Sequence, residues 1–131
     1  MAWPPEQHIA ALIQKANRVL QGVRFLRDTV HQSHAVLSLE GSWGDYRIVV
    51  SEIHRNNGTV RYTYYVLDQN NALHTGFDNS PDRVALRLKH DSAFFAHFHE
   101  ELPHQHTPEG DIHLTGLMDF DGFLAWLEGN L

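Results

Sequence analysis

The chain carries eleven histidines, and four of them form two His-x-His pairs, His97 with His99 and His104 with His106. In an extended segment, residues i and i+2 point to the same side. His104 and His106, which follow Pro103, can therefore act together as an acid–base pair or hold a metal ion. On a helix, His97 and His99 would diverge by about 200°. The second pair is therefore the better candidate for chemistry.

A second group of residues suited to proton transfer lies in the sequence that leads up to residue 78. Tyr65 offers a phenol and His74 an imidazole, and Asp78 offers a carboxylate that can orient either one. Period-two alternation places them on one sheet face together with Arg47 and Arg61, whose guanidinium groups suit a phosphate. Pairing of these arginines with Asp78 or Glu52 across the strands is the open alternative. A register slip of one residue would scatter the whole set.

Further basic residues follow in the next segment. Arg83 and Arg87 lie one helical turn apart, so that together with Lys89 they can contact successive phosphates of one RNA strand. Pairing with their acidic neighbours Asp82 and Asp91 is the alternative. We therefore treat the three cations as candidate RNA-binding residues.

Metal ligands are restricted by composition, because the chain has no cysteine and only histidine and carboxylate groups remain as strong ligands. His104 and His106 could form such a set with Asp111 and His113. The sequence contains no His-Glu-x-x-His motif or comparable spacing. The prediction is a protein without a metal ion or cofactor.

The elements that must position these residues follow from the spacing of the apolar residues. Helical spacing predicts one long amphipathic helix over residues 5–31. From residue 33 the period changes to two, which predicts four antiparallel strands with turns at residues 56–58 and 69–71. Two short helices are predicted over residues 82–90 and 92–101, and a last helix is capped by Asp119 or Asp121. The predicted fold class is α+β, a four-stranded antiparallel meander with all helices on one sheet face.

Length and charge limit the kind of protein. A chain of 131 residues fits a single domain, residues 1–131. No apolar run reaches the roughly 20 residues that cross a bilayer, and the first residues lack the features of a signal peptide. We therefore expect a soluble, cytoplasmic protein with no membrane contact. The net charge of −6 argues against a general nucleic-acid coat but is compatible with a local basic patch.

Three segments, in this order, resemble the TumE-type toxins of toxin–antitoxin systems. They are Tyr62-Thr63-Tyr64-Tyr65-Val66-Leu67-Asp68, Leu73-His74-Thr75-Gly76-Phe77-Asp78-Asn79-Ser80-Pro81 and Pro103-His104-Gln105-His106. The resemblance covers about half of the chain and singles out Tyr65, Asp78, Asn79, His104 and His106. It implies a small toxin that acts on RNA or translation, with a cognate antitoxin as its protein partner and RNA or the ribosome as its target.

The first functional hypothesis is a metal-independent ribonuclease. The arginines would position the phosphate, and His104 or His106 would activate the ribose 2′-hydroxyl group. Tyr65, His74 or the other histidine would protonate the leaving oxygen, and Asp78 would orient an imidazole. A non-enzymatic module that binds a protein partner is the second hypothesis. A metal-dependent hydrolase that uses histidine and aspartate is the third.

Overall fold

Residues 5–131 are described by the structure, a computed structural model, and they begin with helix α1 at Glu6–Val19. The strands that follow are β1 Gln21–Val30, β2 His34–Trp43, β3 Tyr46–Arg55, β4 Val60–Leu67 and β5 Leu73–Asp78. The remaining elements are α2 Arg83–His90, a 3-10 helix Asp91–His97, β6 His104–His106, β7 Ile112–Leu114 and α3 Phe120–Asn130. No helix in this described range is long and apolar enough to cross a membrane.

The sheet corrects the predicted architecture. The α+β class is right, but the meander has seven antiparallel strands in the order β1 to β7, and the prediction of four strands is wrong. The four predicted strands correspond to β2 to β5. Strands β6 and β7 contain only three residues each, which is too short for an alternating pattern to be visible in the sequence.

The predicted long helix over residues 5–31 is also wrong, since it is a helix followed by a strand. Helix α1 ends at Val19, because Leu20 has an extended backbone with φ −97° and ψ 153°. Gly22 then takes a positive φ of 60° that other residues rarely adopt. Strand β1 pairs with β2 with register shifts between Gln21 and Arg24 and again between Phe25 and Arg27.

The later helices agree with the predicted order but not in every boundary. Asp82 caps α2, because its carboxylate accepts the backbone N–H groups of Val84 and Ala85. The helix predicted over residues 92–101 is a short 3-10 helix that ends at His97. Asp119, one of the two predicted caps, begins α3 by accepting the N–H group of Gly122.

The main core lies between one sheet face and helices α1 and α3. The apolar sides of both helices are buried there against strand residues that were predicted to face inward. The predicted strand residues that are buried are Ile48, Val50, Tyr62, Tyr64, Val66 and Phe77. This arrangement fixes which face of each central strand points away from α1 and α3.

A second, smaller core lies on the other face. Ala85 and Leu86 of α2 pack with Leu102 and with the partly buried Ile112. Ile112 pairs with His106 in the sheet, and directly paired residues share one face. Helix α2 therefore packs against the face opposite to α1 and α3, and the prediction that all helices lie on one face is wrong. The sheet face that was predicted to be exposed to solvent is therefore partly covered by α2.

Candidate functional site

A hydrogen-bonded cluster surrounds Asp78, the last residue of β5, whose residue surface is only 2% exposed. Tyr65 Oη donates to Oδ2 at 2.9 Å, and Nε2 of His106 lies 3.1 Å from the same oxygen. Oδ1 accepts the hydroxyl of Ser80 at 2.5 Å and its backbone N–H at 3.0 Å. Nε2 of His104 lies 3.2 Å from Oδ1. We call Tyr65, Asp78, His104 and His106 the Asp78 cluster.

Sheet register brings these residues together from three strands. Gly76 of β5 pairs with Tyr65 of β4 on one side and with His106 of β6 on the other. Asp78 pairs with His104 in the same ladder. A Cβ atom on Gly76 would lie 2.6 Å from the Tyr65 ring, so the glycine is what allows the ring to lie across β5 towards Asp78.

The two histidines of the cluster occupy different environments. His104 is 1% exposed, and its Nδ1 donates to the carbonyl oxygen of Leu102 at 2.6 Å while Nε2 faces Asp78. Both ring nitrogens are therefore used within the protein. The His106 side chain is 23% exposed, and its contact with Asp78 uses Nε2. His106 is thus the histidine that can meet a substrate, whereas His104 positions the carboxylate.

Electrostatics keep the carboxylate of the cluster ionised. Burial raises the pKa of Asp78, but the hydrogen bond from Ser80, the neighbouring His104 and the hydrogen bond from Tyr65 outweigh it, and the pKa is lowered overall. Burial and the adjacent charge of Asp78 raise the pKa of Tyr65. The phenol therefore stays protonated and donates a hydrogen bond to Asp78.

Two of the predicted site residues lie elsewhere. His74 contacts the hydroxyl of Thr75 through Nδ1 at 2.9 Å, and its ring packs edge-on against Tyr46. Arg47 pairs with Glu40 and lines a shallow depression of about 370 Å³ on another part of the surface. Neither residue belongs to the Asp78 cluster. Arg47 does pair across the strands, but with Glu40 instead of the predicted Asp78 or Glu52.

The other predicted cations differ in their availability. Lys89 is bound to Glu100 at 2.7 Å, and the guanidinium of Arg87 lies 4.5 Å from the ring centre of Phe94. Arg61 and Arg83 are exposed, and Arg61 has the strand parity of Tyr65. These two arginines therefore remain accessible near the face that holds the Asp78 cluster.

Asn79, which the family resemblance singles out, has a structural role. Its Oδ1 accepts the backbone N–H of Tyr62 at 2.9 Å, and its Nδ2 donates to the carbonyl oxygen of Val60 at 2.9 Å. Its own carbonyl oxygen accepts the N–H of Leu102 at 3.1 Å. Asn79 thus ties the end of β5 to β4 and to the segment that leads into β6.

A second polar cluster lies on the opposite sheet face and was missed by the sequence analysis. Glu52 is 2% exposed. Its Oε1 lies 2.7 Å from Nε2 of His54 and 3.2 Å from Nε2 of His8. Its Oε2 accepts the hydroxyl of Tyr64 at 2.6 Å. These four side chains, the Glu52 cluster, line a cleft of about 680 Å³ that Asp119 also borders.

The protonation of Glu52 follows from its partners. Burial raises the pKa of Glu52, but the hydrogen bonds with His54, His8 and Tyr64 outweigh this and lower the pKa to about 2. The hydrogen bond with Glu52 raises the pKa of His8. The sequence did indicate this cluster, because the period-two alternation of β3, if it is extended past Val50, places residues 52 and 54 on the core face. An acidic and an imidazole side chain on a core face rarely occur without a partner.

Comparisons with protein-family models, with curated proteins and with solved structures find no match for this chain. The functional argument therefore rests on the geometry of the Asp78 cluster and on the resemblance of the short segments given in the sequence analysis.

Proposed function

We propose that the protein cleaves RNA as the toxin of a toxin–antitoxin system, without a metal ion in the reaction. The observation that carries this proposal is the contact between the partly exposed His106 and the buried carboxylate of Asp78, at 3.1 Å. A carboxylate that orients an imidazole is the usual way to prepare a general base. The resemblance of this segment to TumE-type toxins supports the choice of RNA as substrate.

In the proposed reaction His106 accepts the proton of a ribose 2′-hydroxyl group. The 2′ oxygen forms a bond to phosphorus as the bond from phosphorus to the 5′ oxygen breaks, which leaves a 2′,3′-cyclic phosphate and a 5′-hydroxyl group. The leaving 5′ oxygen takes its proton from water, because the raised pKa of Tyr65 makes its phenol a poor acid. Tyr65 and His104 then act as positioning residues for Asp78.

Phosphate binding is assigned to the exposed cations on the same side. Arg61 lies on β4 with the same parity as Tyr65, and Arg83 begins the helix that packs on this face. Their guanidinium groups suit the bidentate recognition of phosphate oxygens.

The experiment compares wild-type protein with His106→Ala, both in growth after induced expression and in cleavage of labelled RNA in buffer with a chelator. Loss of a general base lowers the cleavage rate by roughly 10²- to 10⁴-fold. His97→Ala is the matched control, because His97 is an exposed histidine of the 3-10 helix outside the cluster. Equal growth arrest and equal cleavage from wild type and His106→Ala would contradict the proposal.

A protein-binding role is the second candidate, and the edge strand β1 favours it. Phe25, Leu26 and Val30 on this strand are 46%, 52% and 47% exposed, and one edge of β1 has no neighbouring strand among the described residues. Edge strands of this kind accept a strand from a partner. An antitoxin encoded by the adjacent reading frame is the proposed occupant.

The test of this candidate is co-expression of the chain with the product of that reading frame. Wild type is expected to form a stable complex, and Leu26→Lys is expected to weaken it, with Leu88→Lys on α2 as the matched control because Leu88 is similarly exposed, at 54%. A complex that Leu26→Lys leaves intact would exclude β1 as the binding surface. Binding without growth arrest or RNA cleavage by wild type would make partner binding the function.

A further inference from the structure

The Glu52 cluster plays no part in the proposed RNA cleavage, and it lines a cleft of about 680 Å³. Glu52 and His54 alternate on β3, which directs both side chains to the face packed by α1. His8 comes from the first half of α1 and completes the group. Three potential ligands therefore converge from two rigid elements.

We propose that His8, Glu52 and His54 bind a single divalent transition-metal ion of the zinc class. One potential ligand atom from each of the three residues lies within 4.8 Å of the other two. Zinc bonds to nitrogen and carboxylate oxygen are about 2.0–2.2 Å long, which sets neighbouring ligands of a tetrahedral ion roughly 3.4 Å apart. The contacts of Glu52 with the histidines, 3.2 and 2.7 Å, are close to that spacing. Small side-chain movements are enough to admit the ion.

The surroundings of the three residues match those of a metal site. The hydroxyl of Tyr64 donates a hydrogen bond to Oε2 of Glu52 at 2.6 Å. Hydrogen bonds of this kind commonly fix the orientation of a carboxylate that binds a metal ion. Nδ1 of His54 is buried without a hydrogen-bond partner. That nitrogen is not the one that faces Glu52, so the ligand atom of His54 is Nε2. Asp119 borders the same cleft and adds negative charge.

Two other groups of histidines and carboxylates fit a metal ion less well. In the Asp78 cluster, both carboxylate oxygens already accept hydrogen bonds, Oδ1 from the hydroxyl and backbone N–H of Ser80 and Oδ2 from the hydroxyl of Tyr65. The other group is His90 at the end of α2, His97 of the 3-10 helix and Glu100 beyond it, and there Glu100 is already paired with Lys89.

The number of ligands determines the type of site. Three protein ligands leave a position of the ion open towards the cleft, which is the arrangement of catalytic rather than structural zinc centres. Two histidines and one carboxylate also suit ferrous iron. The open position of the ion would bind a water molecule or an oxygen atom of an anionic molecule.

The test uses protein prepared without a histidine tag, treated with a chelator and titrated with zinc by calorimetry. Wild type is expected to bind one ion per chain, and His8→Ala is expected to abolish that binding. Tyr64→Phe, which removes only a partner of the carboxylate, is expected to weaken affinity by about 10- to 100-fold. His97→Ala is the control and should bind as wild type does. Visible absorption of the cobalt-loaded protein gives an independent readout of the ligand set.

Several results would overturn the assignment. The first is that wild type binds no zinc. The second is that His8→Ala still binds zinc, and the third is that His97→Ala loses zinc binding. Circular dichroism of each variant shows whether it folds, and His8→Gln replaces His8→Ala if the smaller side chain destabilises the helix. RNA cleavage in chelator depends on the other sheet face, so failure of the metal site and failure of the proposed ribonuclease are separate outcomes.

Discussion

Replacing Gly76 with alanine tests whether the Asp78 cluster depends on the placement of the Tyr65 ring. The new Cβ atom would lie 2.6 Å from Cδ1 and 2.7 Å from Cε1 of Tyr65. Carbon atoms in contact prefer about 3.5–4.0 Å, so the ring has to move by about 1 Å. That movement weakens the 2.9 Å hydrogen bond from Tyr65 to Asp78.

The expected cost follows from these two effects. Overpacking costs about 1–3 kcal/mol, and a hydrogen bond to a charged group contributes about 1.5–3 kcal/mol. If the bond is weakened by about half, the free energy of unfolding should fall by about 2–4 kcal/mol in all. A domain with about 5–15 kcal/mol of stability remains folded after that loss. The RNA cleavage rate should fall as well, because Asp78 and His106 lose the partner that fixes them.

Urea denaturation followed by tryptophan fluorescence measures the change. Gly129→Ala near the end of α3 is the control, since nothing lies within 4 Å of the added Cβ and stability should change by no more than about 0.5 kcal/mol. A double-mutant cycle with Tyr65→Ala isolates the clash, because the penalty of Gly76→Ala should largely disappear once the ring is gone. A Gly76→Ala protein as stable as wild type, or a penalty unchanged in the Tyr65→Ala background, would refute the reasoning.

Three further predictions concern other parts of the molecule. Tyr64→Phe removes a buried donor to Glu52 at 2.6 Å and should lower the free energy of unfolding by about 1.5–3 kcal/mol in urea denaturation. The pKa of Asp78 is lowered from its ordinary value of 3.8, so the ionised carboxylate stabilises the fold above pH 3.8 and this stabilisation is lost as the pH falls below it. In urea denaturation, the difference in unfolding free energy between wild type and Asp78→Asn should therefore become smaller as the pH is lowered below 3.8. Arg47→Ala, which breaks an exposed pair with Glu40 outside the Asp78 cluster, should leave the RNA cleavage rate unchanged in the same assay that detects His106→Ala.

Strand β1 could not be predicted because two bulges conceal its alternation. The register shifts break the period of two, and Val23, Leu26 and Val30 recur at three- and four-residue intervals as they would on a helix, although Leu26 and Val30 are exposed in the strand. Gly22, with its positive φ, marks the point where the chain changes from helix to strand. The central strands have longer unbroken ladders, which is why period two identified Tyr62 and Tyr64 as buried.

The residues of the Glu52 cluster escaped prediction for a different reason. Sequence patterns assign charged residues to the exterior, and Glu52 is buried only because His8, His54 and Tyr64 surround it. His8 is separated from Glu52 by 44 residues, so no local spacing links them. The Asp78 cluster was easier to anticipate, because the residues that meet there fall in short segments with matching strand parity.

Strand β4 joins the two clusters through consecutive residues. Tyr64 points to Glu52 on one sheet face, and Tyr65 points to Asp78 on the other. Because neighbouring strand residues face opposite ways, the two clusters share the register of β4 but not their side-chain contacts. Gly76→Ala should therefore lower RNA cleavage without changing zinc affinity, and Tyr64→Phe should weaken zinc binding without changing cleavage in chelator. Parallel losses in both variants would mean that the clusters form one coupled unit across the sheet.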